Sequence, residues 1–251
     1  MKAYFTNIFK LEIDITHMCT LKCCNCDRGI SVASGNELQN MSLLQINKFI
    51  EQSNQQQYPW KQIRIMGGEP TIHPEFKKII KAFYEYKITT NKDLNLILST
   101  NGFTKETISK ICWIKDNYPT IVIENTSKKD NLQRDFNMIH VAPCDIHENN
   151  DDYEYQGCWT TEACAIGLNY SGFYCCAVGG AIARVFNYDI GIKDVKLLNV
   201  EKFEEMFNLL CSKCGRYHEI KVDNSNITVI TSPTWKKALK EYGTNGVLSK
   251  Y

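Results

Sequence analysis

The first 125 residues switch repeatedly between two hydrophobic periods. Lys10-Leu11-Glu12-Ile13-Asp14-Ile15 alternates apolar and polar side chains, the period of a strand. From Met41 to Glu51 the apolar residues Leu43, Leu44, Ile46, Phe49 and Ile50 recur at helical spacing, with Ser42 placed to cap the helix. Gln62 to Met66 predicts a second strand. A second helix follows from about Pro74 to Tyr86, carrying Phe76, Ile79, Ile80 and Phe83 on one face. Leu94 to Ser99 predicts a third strand and Lys105 to Lys115 a third helix, with Thr104 at its start. Thr120 to Glu124 reads as a fourth strand and Met138 to Ala142 as a fifth. Such alternation predicts an α/β protein with right-handed crossovers and a parallel sheet. The pattern alone admits a partial barrel or a doubly wound sheet.

From Asp151 to about Lys221 the alternation stops. Ala165 to Leu168 and Phe173-Tyr174 flank Asn169-Tyr170-Ser171-Gly172, a β-hairpin pattern with glycine in its turn. Cys158 and Cys164 precede the hairpin, and Cys175 and Cys176 follow it. Val200 to Leu210 reads as a helix running into Cys211-x2-Cys214-Gly215. The tail from Val222 reads as a loop and a short helix near Lys236 to Leu239. The chain divides on this reading into residues 1–150, 151–221 and 222–251, with no internal repeat or low-complexity segment.

Composition narrows the function classes. Lys plus Arg is 29 and Asp plus Glu 28, so no global field favours nucleic acid or an anionic membrane. No apolar run is long enough to span a bilayer, and the N-terminus lacks a signal-peptide pattern, so the expected compartment is the cytoplasm. Twelve cysteines in such a chain point to metal binding or catalysis rather than disulfides.

Their spacing carries the chemistry. Cys19-x3-Cys23-x2-Cys26, in the run CTLKCCNC, can hold three irons of a [4Fe–4S] cube and leave the fourth open. The alternative is a zinc knuckle, with His17 or Cys24 as fourth ligand. Gly67-Gly68-Glu69-Pro70 follows the second strand, and Ser99-Thr100-Asn101-Gly102 ends the third. An Asn-Gly turn would explain the last motif without a ligand. Glu124, Asn125 and Ser127 close the fourth strand and are further rim candidates, or a solvated loop.

On those three motifs together the chain resembles the radical SAM superfamily, over residues ~9 to ~215 with boundaries good to a few residues. The resemblance implies a partial (β/α)6 barrel with function at the C-terminal strand ends. It implies a [4Fe–4S] cluster on Cys19, Cys23 and Cys26. It also implies S-adenosylmethionine (SAM) held by Gly67, Gly68, Glu69 and Pro70 through its amino group, with Thr100 and Asn101 of the Ser99–Gly102 motif at its ribose or carboxylate; Ser99 and Glu124 are the neighbouring rim candidates for the same ligand. In many members an aromatic residue precedes the third cysteine; here it is Asn25, which leaves that adenine contact open. The cysteine, hairpin, cysteine, helix, Cys-x2-Cys order resembles the twitch domain, the short form of the SPASM domain. That implies an auxiliary [4Fe–4S] cluster on Cys158, Cys176, Cys211 and Cys214, with Cys164 and Cys175 as alternates. A zinc ribbon is the competing reading of this unit.

The implied activity is reductive cleavage of SAM and hydrogen abstraction from a small molecule, sugar or aminocyclitol-like, followed by oxidation with the auxiliary cluster as acceptor. A flavodoxin- or ferredoxin-type donor would supply the electron. Epimerisation with a thiol hydrogen donor is the alternative, Cys144 being a candidate donor against the plainer role of a small buried hydrophobe. Maturation of a ribosomal peptide is a further one. A barrel of about 140 residues with a unit of about 70 leaves no room for a separate peptide-recognition domain, which favours the small molecule. An electron-transfer or zinc-structural protein is the non-enzymatic alternative.

Overall fold

The computed structural model describes residues 6–131, 138–146, 157–216, 229–244 and 246–251. The expected breaks at 150/151 and 221/222 lie outside them. Four strands and three helices alternate first: β1 (Lys10–Thr16), α1 (Leu43–Gln55), β2 (Gln62–Gly67), α2 (Phe76–Thr89), β3 (Asn95–Thr100), α3 (Lys105–Asn117) and β4 (Val122–Asn125). Ser42 caps α1 in a capping box with Gln45, and the Thr104 side chain accepts from Thr107 N at the start of α3. Then come α4 (Trp159–Ala163), β5 (Ile166–Asn169), β6 (Gly172–Tyr174), α5 (Gly179–Phe186), α6 (Val200–Glu204), α7 (Phe207–Cys211) and α8 (Pro233–Glu241).

The sheet has the order β4-β3-β2-β1-β5-β6, parallel throughout except for the antiparallel β5–β6 hairpin. The hairpin therefore continues the same sheet, with Leu11 opposite Ile166 and Ile13 opposite Leu168. Gly172 closes its turn at φ +130°, where any Cβ would collide with the Ile192 carbonyl.

Residues 138–142 do not form the expected fifth strand. Their backbone is spent on loops: Ile139 O accepts from Gly215 N, His140 O from Ser232 N, and Ala142 N donates to Ser232 Oγ. The fifth parallel strand is β5. The expected helix from Val200 to Leu210 is also two short helices, α6 and α7, broken at Glu205-Met206.

Alternation along β1 divides the molecule. Leu11, Ile13 and Ile15 join the apolar core with Phe49, Ile63, Ile65, Ile79, Phe83 and Leu98. Glu12 and Asp14 point the other way, into a polar lumen, and are nonetheless almost fully buried. No described helix is long and apolar enough to cross a membrane.

Candidate functional site

The three N-terminal motifs converge on one cavity of about 330 Å³ at the C-terminal ends of the strands. Cys19, Cys23 and Cys26 line it, with Gly67 and Gly68 after β2, Ser99, Thr100 and Asn101 at the end of β3, and Glu124 on β4. The cysteine loop and the glycine pair touch. A Cβ on Gly68 would overlap the Met18 carbonyl, and Glu69 N donates to Met18 O at 2.9 Å. Only glycine lets the second strand end this close to the loop.

Glu69 and Pro70 stand behind that wall. The Glu69 carboxylate is fully buried and accepts from Thr71 N (3.1 Å), Thr71 Oγ1 (2.7 Å), Thr100 Oγ1 (2.8 Å) and Asn101 N (2.8 Å). It ties the β2 end to the β3 end. Asn101 makes the Asx turn expected of Asn-Gly, accepting from Phe103 N at 2.9 Å. Its amide also donates to Thr20 Oγ1 on the cysteine loop at 3.0 Å. Asn125 makes a similar turn with Ser127 N at 2.9 Å.

Burial raises the pKa of the Cys19 and Cys23 thiols and pushes Cys26 up to about 12. Backbone N–H groups meanwhile already face sulfur: Leu21 N donates to Cys19 at 3.4 Å, and the Ile30 and Arg28 amides to Cys26. These donors favour thiolates, and a bound metal deprotonates thiols outright. Cys24 does not line the cavity. Its thiol is buried against Asn25 Oδ1 at 3.5 Å, and its carbonyl accepts from the His140 ring at 3.1 Å in the tautomer that donates there. Three thiols therefore face the cavity from this loop, the set that suits a cube with one open iron.

The lumen below carries a ladder of charge that the sequence motifs did not mark. Arg28 is buried and donates to Glu12 (2.6 Å) and Asp14 (3.0 Å), with Asp27 at 3.1 Å. Arg64, opposite Glu12 in the β1–β2 register, pairs with Glu12 at 2.5 Å and Glu124 at 3.0 Å. Desolvation raises Asp14 to about 6, against the pull of Arg28. The available signal was two acids on one face of β1 and an arginine on the neighbouring strand.

A second, smaller cavity is lined by Cys158, Cys176, Cys211 and Cys214, with Thr160, Thr161, Val178, Ile182, Leu210 and Arg216. These are the four thiols that the twitch-domain resemblance implies, and the structure brings them together. They surround a space rather than a point: among the described residues no three His, Cys, Asp or Glu are grouped to hold a single ion. Burial raises Cys158, Cys211 and Cys214. Cys176 is lowered, because the Cys175 thiol donates to it and the Val178 and Gly179 amides face it. Cys175 itself is fully buried and does not line the cavity. Cys164 lines the larger cavity instead. Cys144 lines neither; its thiol meets Lys213 Nζ at 3.6 Å and Thr234 Oγ1 at 3.8 Å.

Residues 13–141, just over half of the chain, match the Radical SAM superfamily. The chain belongs to that superfamily. Radical SAM membership implies a [4Fe–4S] cluster and SAM, and the three-thiol cavity with its sulfur-facing amides fits them. Among curated proteins, GTP 3',8-cyclase of Aliarcobacter butzleri (strain RM4018) is 30% identical over 102 residues, 40% of this chain and 29% of that protein. A probable GTP 3',8-cyclase of Methanocella arvoryzae is 30% identical over 95 residues, 37% and 29% respectively. The match thus spans under a third of the length of these relatives. Among solved structures, BtrN in complex with AdoMet and 2-DOIA aligns at 14% identity over 92% of this chain and 99% of that one, with a TM-score of 0.49. Streptococcus suis SuiB bound to precursor peptide SuiA aligns at 20% identity over 46% and 23%, with a TM-score of 0.35.

Proposed function

We propose that this radical SAM protein is an oxidoreductase acting on a small, hydroxyl-rich molecule of the sugar or aminocyclitol type. The observation that carries the reading is one cavity lined by the three loop thiols, the glycine pair and the β3 rim, sharing a wall with a second cavity lined by four thiols. When bound, a three-thiolate [4Fe–4S] cluster with SAM supplies a 5′-deoxyadenosyl radical able to abstract hydrogen from carbon.

The chain's own residues would divide the work. Cys19, Cys23 and Cys26 would hold the first cluster. Backbone groups at Gly67 and Gly68, with Ser99, Asn101 and Glu124, would orient SAM, while Glu69 and Pro70 brace that wall from behind. Glu12, Arg28 and Arg64 fix one another, so a ligand meets donors and acceptors at set positions rather than a field of one sign. That suits hydrogen bonding to a neutral or zwitterionic polyhydroxy molecule better than capture of a polyanion. Cys158, Cys176, Cys211 and Cys214 would hold an auxiliary [4Fe–4S] cluster, an electron acceptor beside the substrate, which favours oxidation. The reading places the enzyme in the cytoplasm, served by a flavodoxin- or ferredoxin-type donor.

One observation favours a second reading. Cys164 lines the large cavity, and burial with the nearby Glu12 pushes its thiol up to about 12, so it is protonated at neutral pH. A protonated thiol there could return hydrogen to a substrate radical, as an epimerase requires. Oxygen-free reconstitution followed by reduction in the presence of SAM tests the first claim. Wild-type protein is expected to form 5′-deoxyadenosine, and absence of that product would remove the reading altogether. With a sugar or cyclitol substrate in deuterium oxide, carbon-bound deuterium lost on Cys164→Ala would replace oxidation by epimerisation.

A further inference from the structure

The two cavities share three lining residues among those described: Thr160, Val178 and Arg216. Val178 is apolar. The Thr160 hydroxyl is buried without a well-formed hydrogen bond and leans toward the Cys158 thiol. Arg216 is the charged member of this partition, and its side chain is only 6% exposed. Trp159 lies under its guanidinium, with the ring centre 5.1 Å away, and Asp27 is 3.7 Å from it. Asp27 is in turn drawn to Arg28 at 3.1 Å and follows Cys26 directly in the chain. A fixed positive charge therefore stands between the two thiol sets, tethered to the first and lining the pocket of the second.

Resting on the reading that the second set holds a [4Fe–4S] cluster, we propose that Arg216 is a positioning residue that sets the reduction potential of that cluster. Four thiolates leave such a cluster anionic, and each added electron makes it more so. A cation held in a poorly solvated wall stabilises the reduced form more than the oxidised one. Arg216 thereby makes the auxiliary site the better acceptor for an electron leaving the large cavity. Asp27 moderates the effect by neutralising part of that charge. The step is a one-electron reduction of the 2+ core to 1+. In the titration dithionite supplies the electron; in turnover a substrate radical supplies it and gives its proton to water.

The experiment is a potentiometric titration of the full chain, reconstituted without oxygen and followed by electron paramagnetic resonance. A Cys19→Ala/Cys23→Ala/Cys26→Ala background isolates the second signal. Arg216→Gln is expected to lower the midpoint by an amount equivalent to at least a tenfold change in the equilibrium, about 59 mV for a one-electron couple. Arg216→Lys should restore most of it, and Asp27→Asn should move the midpoint the other way. Equal midpoints in wild type, Arg216→Gln and Asp27→Asn, all with full iron content, would overturn the proposal. Should Arg216→Gln fail to hold iron, Asp27→Asn decides alone: a rise supports the proposal and an unchanged value ends it. Failure of the underlying reading looks different, since the triple variant would then carry no iron–sulfur signal to titrate.

Discussion

The two thiol sets of this chain are built on opposite plans. The first sits on one loop, beside a roomy cavity floored by Glu12, Arg28 and Arg64 and rimmed by hydrogen-bonding side chains. The second is gathered from three separate segments, into a small space walled by Val178, Ile182 and Leu210. On the proposed reading the first site must admit a ligand and keeps one side open, whereas the second only carries electrons and can be enclosed. Sequence proximity follows the same logic. Three thiols on a single loop leave the rest of the sphere free, whereas four thiols from distant segments close it.

Breaking either set separates their roles. The largest effect is expected from Cys23→Ala, which should reduce 5′-deoxyadenosine formation to background, because two thiols cannot retain a cube with a defined open iron. Cys211→Ala should instead leave SAM cleavage measurable while iron falls from about eight to about four per chain. If both variants lose cleavage equally, with the first signal intact in the second variant, the division of labour is wrong.

Next in size is Arg28→Leu. It strands Asp14 and leaves Glu12 with Arg64 alone, and removing one member of a buried charge cluster costs about 3–5 kcal/mol. Urea unfolding of the metal-free protein should show that loss. Glu69→Ala should cost a comparable amount, about 1–3 kcal/mol for each of the backbone donors Thr71 N and Asn101 N left unpaired, and should weaken SAM binding measured by calorimetry. Wild-type SAM affinity in that variant would reduce Glu69 to a stability role.

A smaller effect belongs to His140, which straps the first loop through the Cys24 carbonyl and contacts Ile230 O from its other nitrogen. Burial holds its pKa below the usual histidine range. The unfolded chain then takes a proton near pH 6.5 that the folded chain resists. Its contribution is therefore complete above that pH and declines as pH falls through and below it. Comparing urea midpoints at pH 7.5 and 5.5, His140→Gln should show a shallower decline than wild type. The smallest effect is expected from Cys24→Ala, whose thiol lines neither cavity. It should keep near-wild-type SAM cleavage and iron, and a loss of either would move Cys24 into the ligand set.

Much of this was legible from residue order. β1 to β4 announce themselves by period, Ser42 and Thr104 by capping chemistry, and the hairpin by Gly172. Residues 138–142 misled because Ile139, His140 and Val141 mimic strand alternation, while His140 is buried for its contacts to two carbonyls rather than for sheet packing. α5 was missed because Gly179 and Gly180 argue against a helix; they are there to clear Tyr174 and Asn169 beneath. The charge ladder escaped notice because isolated acids and arginines on strands carry no spacing signature. Their meaning depends on register, as in the Glu12–Arg64 pair, and register is a property of the folded sheet. Arg216 was invisible for the same reason: a wall between two cavities exists only in three dimensions.

The parallel pairing of β1 with β5 bears on how the chain can be cut. β1 lies inside the sheet, flanked by β2 on one side and β5 on the other. A fragment ending before the hairpin would expose a seven-residue strand edge rich in apolar side chains, the kind of template on which chains associate. The same pairing joins segments far apart in sequence, so it forms only after much of the chain has been made, and folding pays that loop closure late. Solubility of the N-terminal half therefore depends on a hairpin that belongs, by its cysteines, to the other site.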